Sequence, residues 1–388
     1  MEHMRMIASR AEDAWHALRQ PGAYEWWYFD ALSEDHEYGL VAIWFCGMPF
    51  SADYNAHLEA YERGCAAPPN PCDYAAFSFA LYHRGRPIAY ALVEYDDFTA
   101  STTQPAVWTG RNAFTYDPAT ATYHLVVDVE LTEVTTVIPV AIGRRLTGTF
   151  TFRNLNENWF APALAASGVG APGMAHGTHT WNLVAPVCTT HGALEITDAN
   201  GRCERRVTFT GRGYHDHNYD TVPMLRAINR WHWGRCWRGD RMLIYYRNEP
   251  FPGQPGAFSF GAVFDGAQPQ LVTDAIEVVF EAQRRNWLGL KYPHHLRITL
   301  PATGETWTIR QQYMVDSGPF YVRFLSGPGT ESNGNTYGVS ETLDGVRLRR
   351  RIFRPMINTR IQRPASRGAL LPAPVVRLGR TALIWLVT

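Results

Sequence analysis

The sequence predicts an all-β protein made of two strand-rich halves in tandem, and three observations predict it. Short runs of β-branched and aromatic residues follow one another along most of the chain, each broken by Gly, Pro, Asn or Asp. The 388 residues include 32 glycines and 25 prolines, ample material for tight turns at those breaks. Trp, Tyr and Phe make up 13% of the chain, and aromatic side chains favour strands and line apolar pockets. Regular short strands of this kind point to sandwiches or barrels, not to alternating βαβ units.

The opening MEHMRMIASRAEDAWHALRQ reads as a short amphipathic helix without the continuous apolar core of a signal peptide. Strands follow in EYGLVAIWFCGM, YAAFSFALYH, TYHLVVDVELTEV and RLTGTFTFRN, each a β-branched or aromatic run. Two stretches, SADYNAHLEAYERGCAAPPNPCDY and ALAASGVGAPGMAHG, are long enough to be lids or binding loops. The junction between the halves is expected within residues 190–225, and the domains are drawn as 1–200 and 201–388. Beyond it, RMLIYYR, AFSFGAVF, AIEVVFEA, HHLRITL, ETWTIRQQY and YVRFLSG repeat the style. From Glu341 onward ten arginines face two acids, Glu341 and Asp344, which reads either as a solvated face or as a surface for anionic lipid.

Composition bounds the function. Hydrophobic residues are 46% and charged ones 19%, a globular balance. The net charge is zero, so no overall field draws in nucleic acid. Six cysteines show no CxxC spacing, against a zinc ribbon or redox motif. No run of about 18 apolar residues occurs, so no membrane-spanning helix is expected. The expectation is a cytoplasmic protein, with the segment Ser51 to Asp73 and the arginine-rich tail as candidate peripheral membrane contacts.

The densest cluster of titratable groups is GRGYHDHNYD, Gly211 to Asp220. On a strand, alternation puts Tyr214, Asp216 and Asn218 on one face and His215 and His217 on the other. His215 and His217 would make a metal face only with a third ligand from His176, His179 or His232. No spacing supports that set, so no metal is assigned, and the two histidines are expected to bond backbone or loop groups behind the site. No Gly-x-Ser-x-Gly elbow and no Gly-rich phosphate loop occurs, so neither a serine nucleophile nor a nucleotide cofactor is expected.

Three aromatic stretches share the one-sided pattern. His179 and Trp181 fall together in GTHTWN, and Trp231 and Trp233 in NRWHWGRCW. In YEWWYFDAL, Glu25, Trp27 and Phe29 oppose Trp26, Tyr28 and Asp30. Singly each reads as core packing; together they describe a large aromatic cavity containing an acid. A carboxyl there is costly to ionise and holds its proton at neutral pH, while π faces stabilise a cation. The alternative for Asp216 is a strand-edge carboxylate accepting bonds from Asn218 or Arg212.

These residues carry a family resemblance. GAYEWWYFDALSED (Gly22 to Asp35), PFSADY (Pro49 to Tyr54), HTW (His179 to Trp181), GYHDHN (Gly213 to Asn218) and WHWGR (Trp231 to Arg235) resemble, in order, the motifs of the acyclic carotenoid 1,2-hydratases. The similarity runs from about residue 20 to 250. It implies two lipocalin-like β domains with the site between them, and cofactor-free addition of water to a terminal isoprene double bond. Carried over, Asp216 is the proton donor, with Tyr214, His179 and Trp181 beside it and His179 orienting or deprotonating water. Trp231, Trp233, Asn218, Trp27 and Glu25 are assigned to binding a hydrophobic polyene. The chain departs from the family where Tyr219-Asp220 stands for Trp-Gly. Glu25 is closer to lipocalin-like relatives that are pericyclases and cyclases, so cyclisation and simple lipid carriage are the alternatives.

Overall fold

The computed structural model describes residues 4–132, 141–160, 179–251, 258–326, 336–358 and 360–363. Its first sheet takes twelve strands: β1 (Met4–Ile7), β2 (Tyr24–Ser33), β3 (Tyr38–Cys46), β4 (Ala75–His83), β5 (Arg86–Tyr95), β6 (Thr99–Ala100), β7 (Ala106–Thr109), β8 (Asn112–Asp117), β9 (Thr122–Thr132), β10 (Ala141–Asn154), β11 (His179–Thr197) and β12 (Cys203–Asp220). Their order is β5-β4-β3-β2-β12-β11-β10-β9-β8-β7-β6, with β1 parallel to β11 and every other pairing antiparallel. The sheet curls until β5 meets β9. The aromatic face it wraps is a core of its own, holding Trp27, Phe29, Trp44, Phe114 and Tyr123.

The second half forms β13 (Arg230–Arg238), β14 (Arg241–Glu249), β15 (Phe258–Asp265), β16 (Gln268–Thr273), β17 (Glu277–Arg285), β18 (Lys291–Leu300), β19 (Glu305–Arg310), β20 (Tyr313–Ser317), β21 (Tyr321–Ser326) and β22 (Tyr337–Asp344). Seven of these make a sheet in the order β16-β15-β14-β13-β22-β21-β20, and β17-β18-β19 make a small separate one. Leu243, Tyr245 and Val263 from the large sheet pack with Leu296, Ile298 and Trp307 from the small one.

The largest cluster lies where the two major sheets face each other. It joins Trp26, Tyr28, Trp181 and Tyr214 of the first to Trp231, Trp233 and Tyr246 of the second. Central strands are therefore covered on both sides, which is why all ten residues of β2 are buried. Arg235 on β13 reaches across to Asp30 on β2, its Nε 2.8 Å from Oδ1, with both side chains fully buried.

Two sequence expectations change. The N-terminal helix shrinks to one 3-10 turn at Ala11–Asp13, because Met4 and Met6 enter the intersheet core while their strand pairs with the edge offered by His179–Asn182. Edge pairing outweighs a weak helical periodicity. The chain crosses from sheet to sheet between Asp220 and Arg230, so a division at residues 200 and 201 cuts the long β11–β12 ladder. The segment after β3 forms helix α1 (Ala52–Glu62), capped by Ser51 Oγ accepting from the Tyr54 N–H. Several tail arginines are spent internally: Arg354 pairs with Glu59, and Arg363 with Asp53 and Glu94. Residues 364–388, including the rest of the basic tail, lie outside the described residues, as does the loop at 163–177.

Candidate active site

Register decides which side chains share a face. β12 pairs with β2 so that Asp216 lies opposite Tyr28 and Asn218 opposite Trp26, while His217 lies opposite Trp27 and His215 opposite Phe29. The first set points into the space between the sheets and the second into the curled interior. On the other side of β12, Trp181 of β11 stands opposite Asn218, just before two register shifts between Asn182 and Cys188. Such irregularities bend a strand and re-aim its side chains.

Between the sheets is a cavity of about 1020 Å³, counting the space at its open mouth. Its walls are largely aromatic, with Trp26, Tyr28, Phe45, Phe50, Trp231 and Trp233 among them. Asp216 and Asn218 form part of the lining. Asp216 is 5% exposed. Its Oδ2 accepts from Tyr214 Oη at 2.6 Å and Trp181 Nε1 at 2.8 Å, and its Oδ1 accepts from Asn218 Nδ2 at 2.8 Å. Burial pushes the carboxyl up to about 7, against the pull of the Tyr214 and Trp181 bonds and with the help of the negative charges of Glu341 and Asp30. Oδ2 is filled by two donors, so Oδ1 is the oxygen with room for a proton.

His179 is fully buried and is not among the cavity-lining residues. Its Nδ1 is 2.7 Å from Tyr24 Oη, and its contact with Asn218 sets it one residue back from Asp216. Burial holds the imidazole down at about 3, so it is neutral. Trp181 and Tyr214 likewise hold Asp216 from behind rather than forming the wall.

Part of the cavity wall is ionic. Glu341 on β22 and Arg323 on β21 line it as a buried pair, Arg323 Nε to Glu341 Oε1 at 2.7 Å. Tyr28 Oη also points at Glu341 Oε1, at 3.4 Å. Further along the wall are Asp316 and Arg360, joined to each other.

Trp27 and Glu25, expected to bind substrate, are on the wrong face for this cavity. Trp27 stacks on His217 at 4.4 Å inside the first core, its Nε1 donating to Asp13 O. Glu25 accepts from the His16 N–H and lies 2.9 Å from His217 Nε2. With Asp13 they form a buried acid–imidazole network: burial pulls His217 down, but Asp13 and Glu25 outweigh it and hold it at about 9. His16, Glu25 and His217 bring three ligand-type atoms within 4.8 Å, already engaged in a hydrogen bond of 2.8 Å and an ion pair of 2.9 Å and separated from the cavity by the sheet. The histidine set weighed for a metal is not brought together. His215 and His217 turn toward Asp13, His179 bonds Tyr24, His232 bonds Thr342, and His176 lies outside the described residues.

This geometry fits the result of comparison. The sequence profile of the family described as Carotenoid hydratase CrtC matches residues 45–369, most of the chain. The chain belongs to the carotenoid hydratase family. It is 32% identical to a protein named hydroxyneurosporene dehydrogenase from Chlorobaculum tepidum, over 95% of this chain and 94% of that one. It is 25% identical to the acyclic carotenoid 1,2-hydratase of Thiocapsa roseopersicina, over 79% of this chain and 64% of that protein. Among solved structures it resembles a putative AttH from Nitrosomonas europaea, with a TM-score of 0.55, 15% identity, and 88% and 97% of the two chains covered. CghA crystallised with Sch210972 is similar at a TM-score of 0.54 and 14% identity, over 84% and 89%. At those identities the likeness shows the all-β, lipocalin-like fold alone.

In this member of the family, sequence reasoning missed Trp26, Tyr28, Arg323 and Glu341. For the first two the signal was present: the face opposite Glu25, Trp27 and Phe29 was identified, but Trp27 and Glu25 on the other face were the residues assigned to the site. Arg323 and Glu341 lie in later strands without a motif, and Glu341 stood out only as an acid in an arginine-rich stretch.

Proposed function

We propose that this protein adds water across a terminal double bond of an acyclic carotenoid or similar long isoprenoid, with Asp216 as proton donor and without a cofactor. The observation that carries the reading is a neutral-capable carboxyl on the wall of an aromatic cavity, fixed by three donors. Family membership supports a hydro-lyase reaction on a carotenoid.

Asp216 gives its proton to the CH carbon of the double bond, leaving a tertiary cation on the dimethyl carbon. The faces of Trp26, Tyr28, Trp231 and Trp233 stabilise that cation, each by up to ~2 kcal/mol where water is excluded. Water then attacks and the oxonium loses a proton. Tyr214 and Trp181 strengthen their bonds to Asp216 as it becomes a carboxylate, which lowers the cost of ionising it in a buried site. Neutral His179 orients Asn218, and Asn218 orients Asp216 Oδ1.

Among the described residues no helix is long and apolar enough to cross a membrane. Collection of substrate at a membrane surface belongs to the same reading, with the segment carrying α1 as the contact.

The test is incubation of pure protein with lycopene or neurosporene, followed by mass analysis of the extract. A product heavier by one water is expected, and its absence with Asp216→Asn, which keeps the fold and pigment binding. Retained turnover in that variant ends the assignment of Asp216. A product of unchanged mass identifies a cyclase, and unaltered co-purifying pigment a carrier.

A further inference from the structure

Hydration needs a second group, because the water that captures the cation must lose a proton. His179 does not line the cavity, and the bonds from Tyr214 and Trp181 weaken the Asp216 carboxylate left by the first step as a base. Resting on the hydration reading, we propose that Glu341 is the base that takes this proton, with the water held between Glu341 and the indole N–H of Trp233.

Four observations support it. Glu341 lines the same cavity as Asp216, 7% exposed. It is paired directly with Trp233 across β13 and β22, which places the two side chains side by side on one face. Trp233 Nε1 is a buried donor with no hydrogen-bond partner among the described residues, and so is Trp231 Nε1, although both residues line the cavity. A hydrocarbon cannot accept from them, whereas a water can, and a buried water needs two or more polar partners. Finally, the bonds to Glu341 from Arg323 and Tyr28 fall on Oε1 and keep the carboxylate oriented and its charge balanced.

The cavity thus holds two carboxyl groups in different surroundings, one in an aromatic setting and one paired with a guanidinium. The step balances. The π pair takes the Asp216 proton at the CH carbon, and a lone pair of water forms the C–O bond. The oxonium O–H then breaks toward Glu341, leaving Asp216 as carboxylate and Glu341 as acid. Exchange with solvent at the cavity mouth returns both to their starting states, and nothing is oxidised or reduced.

The experiment compares native protein, Glu341→Gln, Glu341→Asp and Asp216→Asn on lycopene in D2O, following hydrated product and deuterium in recovered substrate. Glu341→Gln is expected to slow hydration by about 100-fold or more while deuterium still enters the substrate, because protonation and its reversal survive. Glu341→Asp, with its carboxylate drawn back, is expected to slow hydration about tenfold with exchange intact. Asp216→Asn loses both. Hydration by Glu341→Gln at the native rate, or loss of exchange together with hydration, overturns the assignment. Should the Gln variant not fold, the Asp variant decides on the same split. If native protein neither hydrates nor exchanges, the hydration reading itself has failed, and the role of Glu341 with it.

Discussion

At the scale of the residue, the proposed chemistry rests on Asp216. Its carboxyl is held at about 7 from an ordinary 3.8, chiefly by burial. In the proposed mechanism the acid form reacts, so kcat/KM is expected to fall as pH rises through about 7, tenfold for each unit above it. Stability has the same sign. Between pH 3.8 and about 7 the folded state keeps a proton on Asp216 that the unfolded chain has lost, so this group's contribution to stability declines with rising pH across that window and levels off above it. Melting temperature against pH should decline more steeply across this window in the native protein than in Asp216→Asn, where the raised carboxyl of Asp220 still contributes. The grouping of Asp216 with Tyr214 and Asn218 was legible in the sequence, since strand alternation needs no tertiary knowledge. The roles of His179 and Trp181 were not. Both stand on β11, and whether a side chain forms the cavity wall or backs the residue that does depends on how two strands bend together.

At the scale of the element, β2 shows the limit of alternation. Its two faces feed two different cores, with Glu25, Trp27 and Phe29 on one and Trp26 and Tyr28 on the other. Neighbouring tryptophans should therefore fail differently. Trp27→Ala is expected to cost about 3–5 kcal/mol of stability by emptying a closed core, measured by urea denaturation. Trp26→Ala, on the cavity wall, is expected to raise KM for the polyene several-fold with a smaller loss of stability. Equal effects of the two on KM would contradict the assignment of faces. Both faces of β2 are apolar and aromatic, so composition gave no way to choose between them, and the familiar rule of one wet and one dry face does not operate in a strand covered on both sides.

At the scale of the whole molecule, the site exists only because two sheets are held facing each other. Arg235 and Asp30 join them through a fully buried ion pair, with the guanidinium 4.2 Å above the Trp237 ring. Asp30→Asn leaves that guanidinium buried without its counter-charge and is expected to cost about 3–5 kcal/mol, read from chemical denaturation. The cavity should open with it, so pigment binding is expected to weaken in parallel. A variant of native stability would mean that the aromatic intersheet packing suffices alone.

The sequence by itself determined that the chain is all-β, that it has two strand-rich halves, and that Asp216, Tyr214 and Asn218 share a face. Those features follow from local periodicity and turn chemistry, which are properties of a few neighbouring residues. Tertiary structure alone decided that Met4–Ile7 is a strand, that the cavity takes Trp26 and Tyr28 instead of Trp27 and Glu25, and that Glu341 stands in the same cavity as Asp216. Each of these depends on which face of one sheet meets which face of another. That choice is made by the summed packing of two whole surfaces, and no short stretch of sequence contains it.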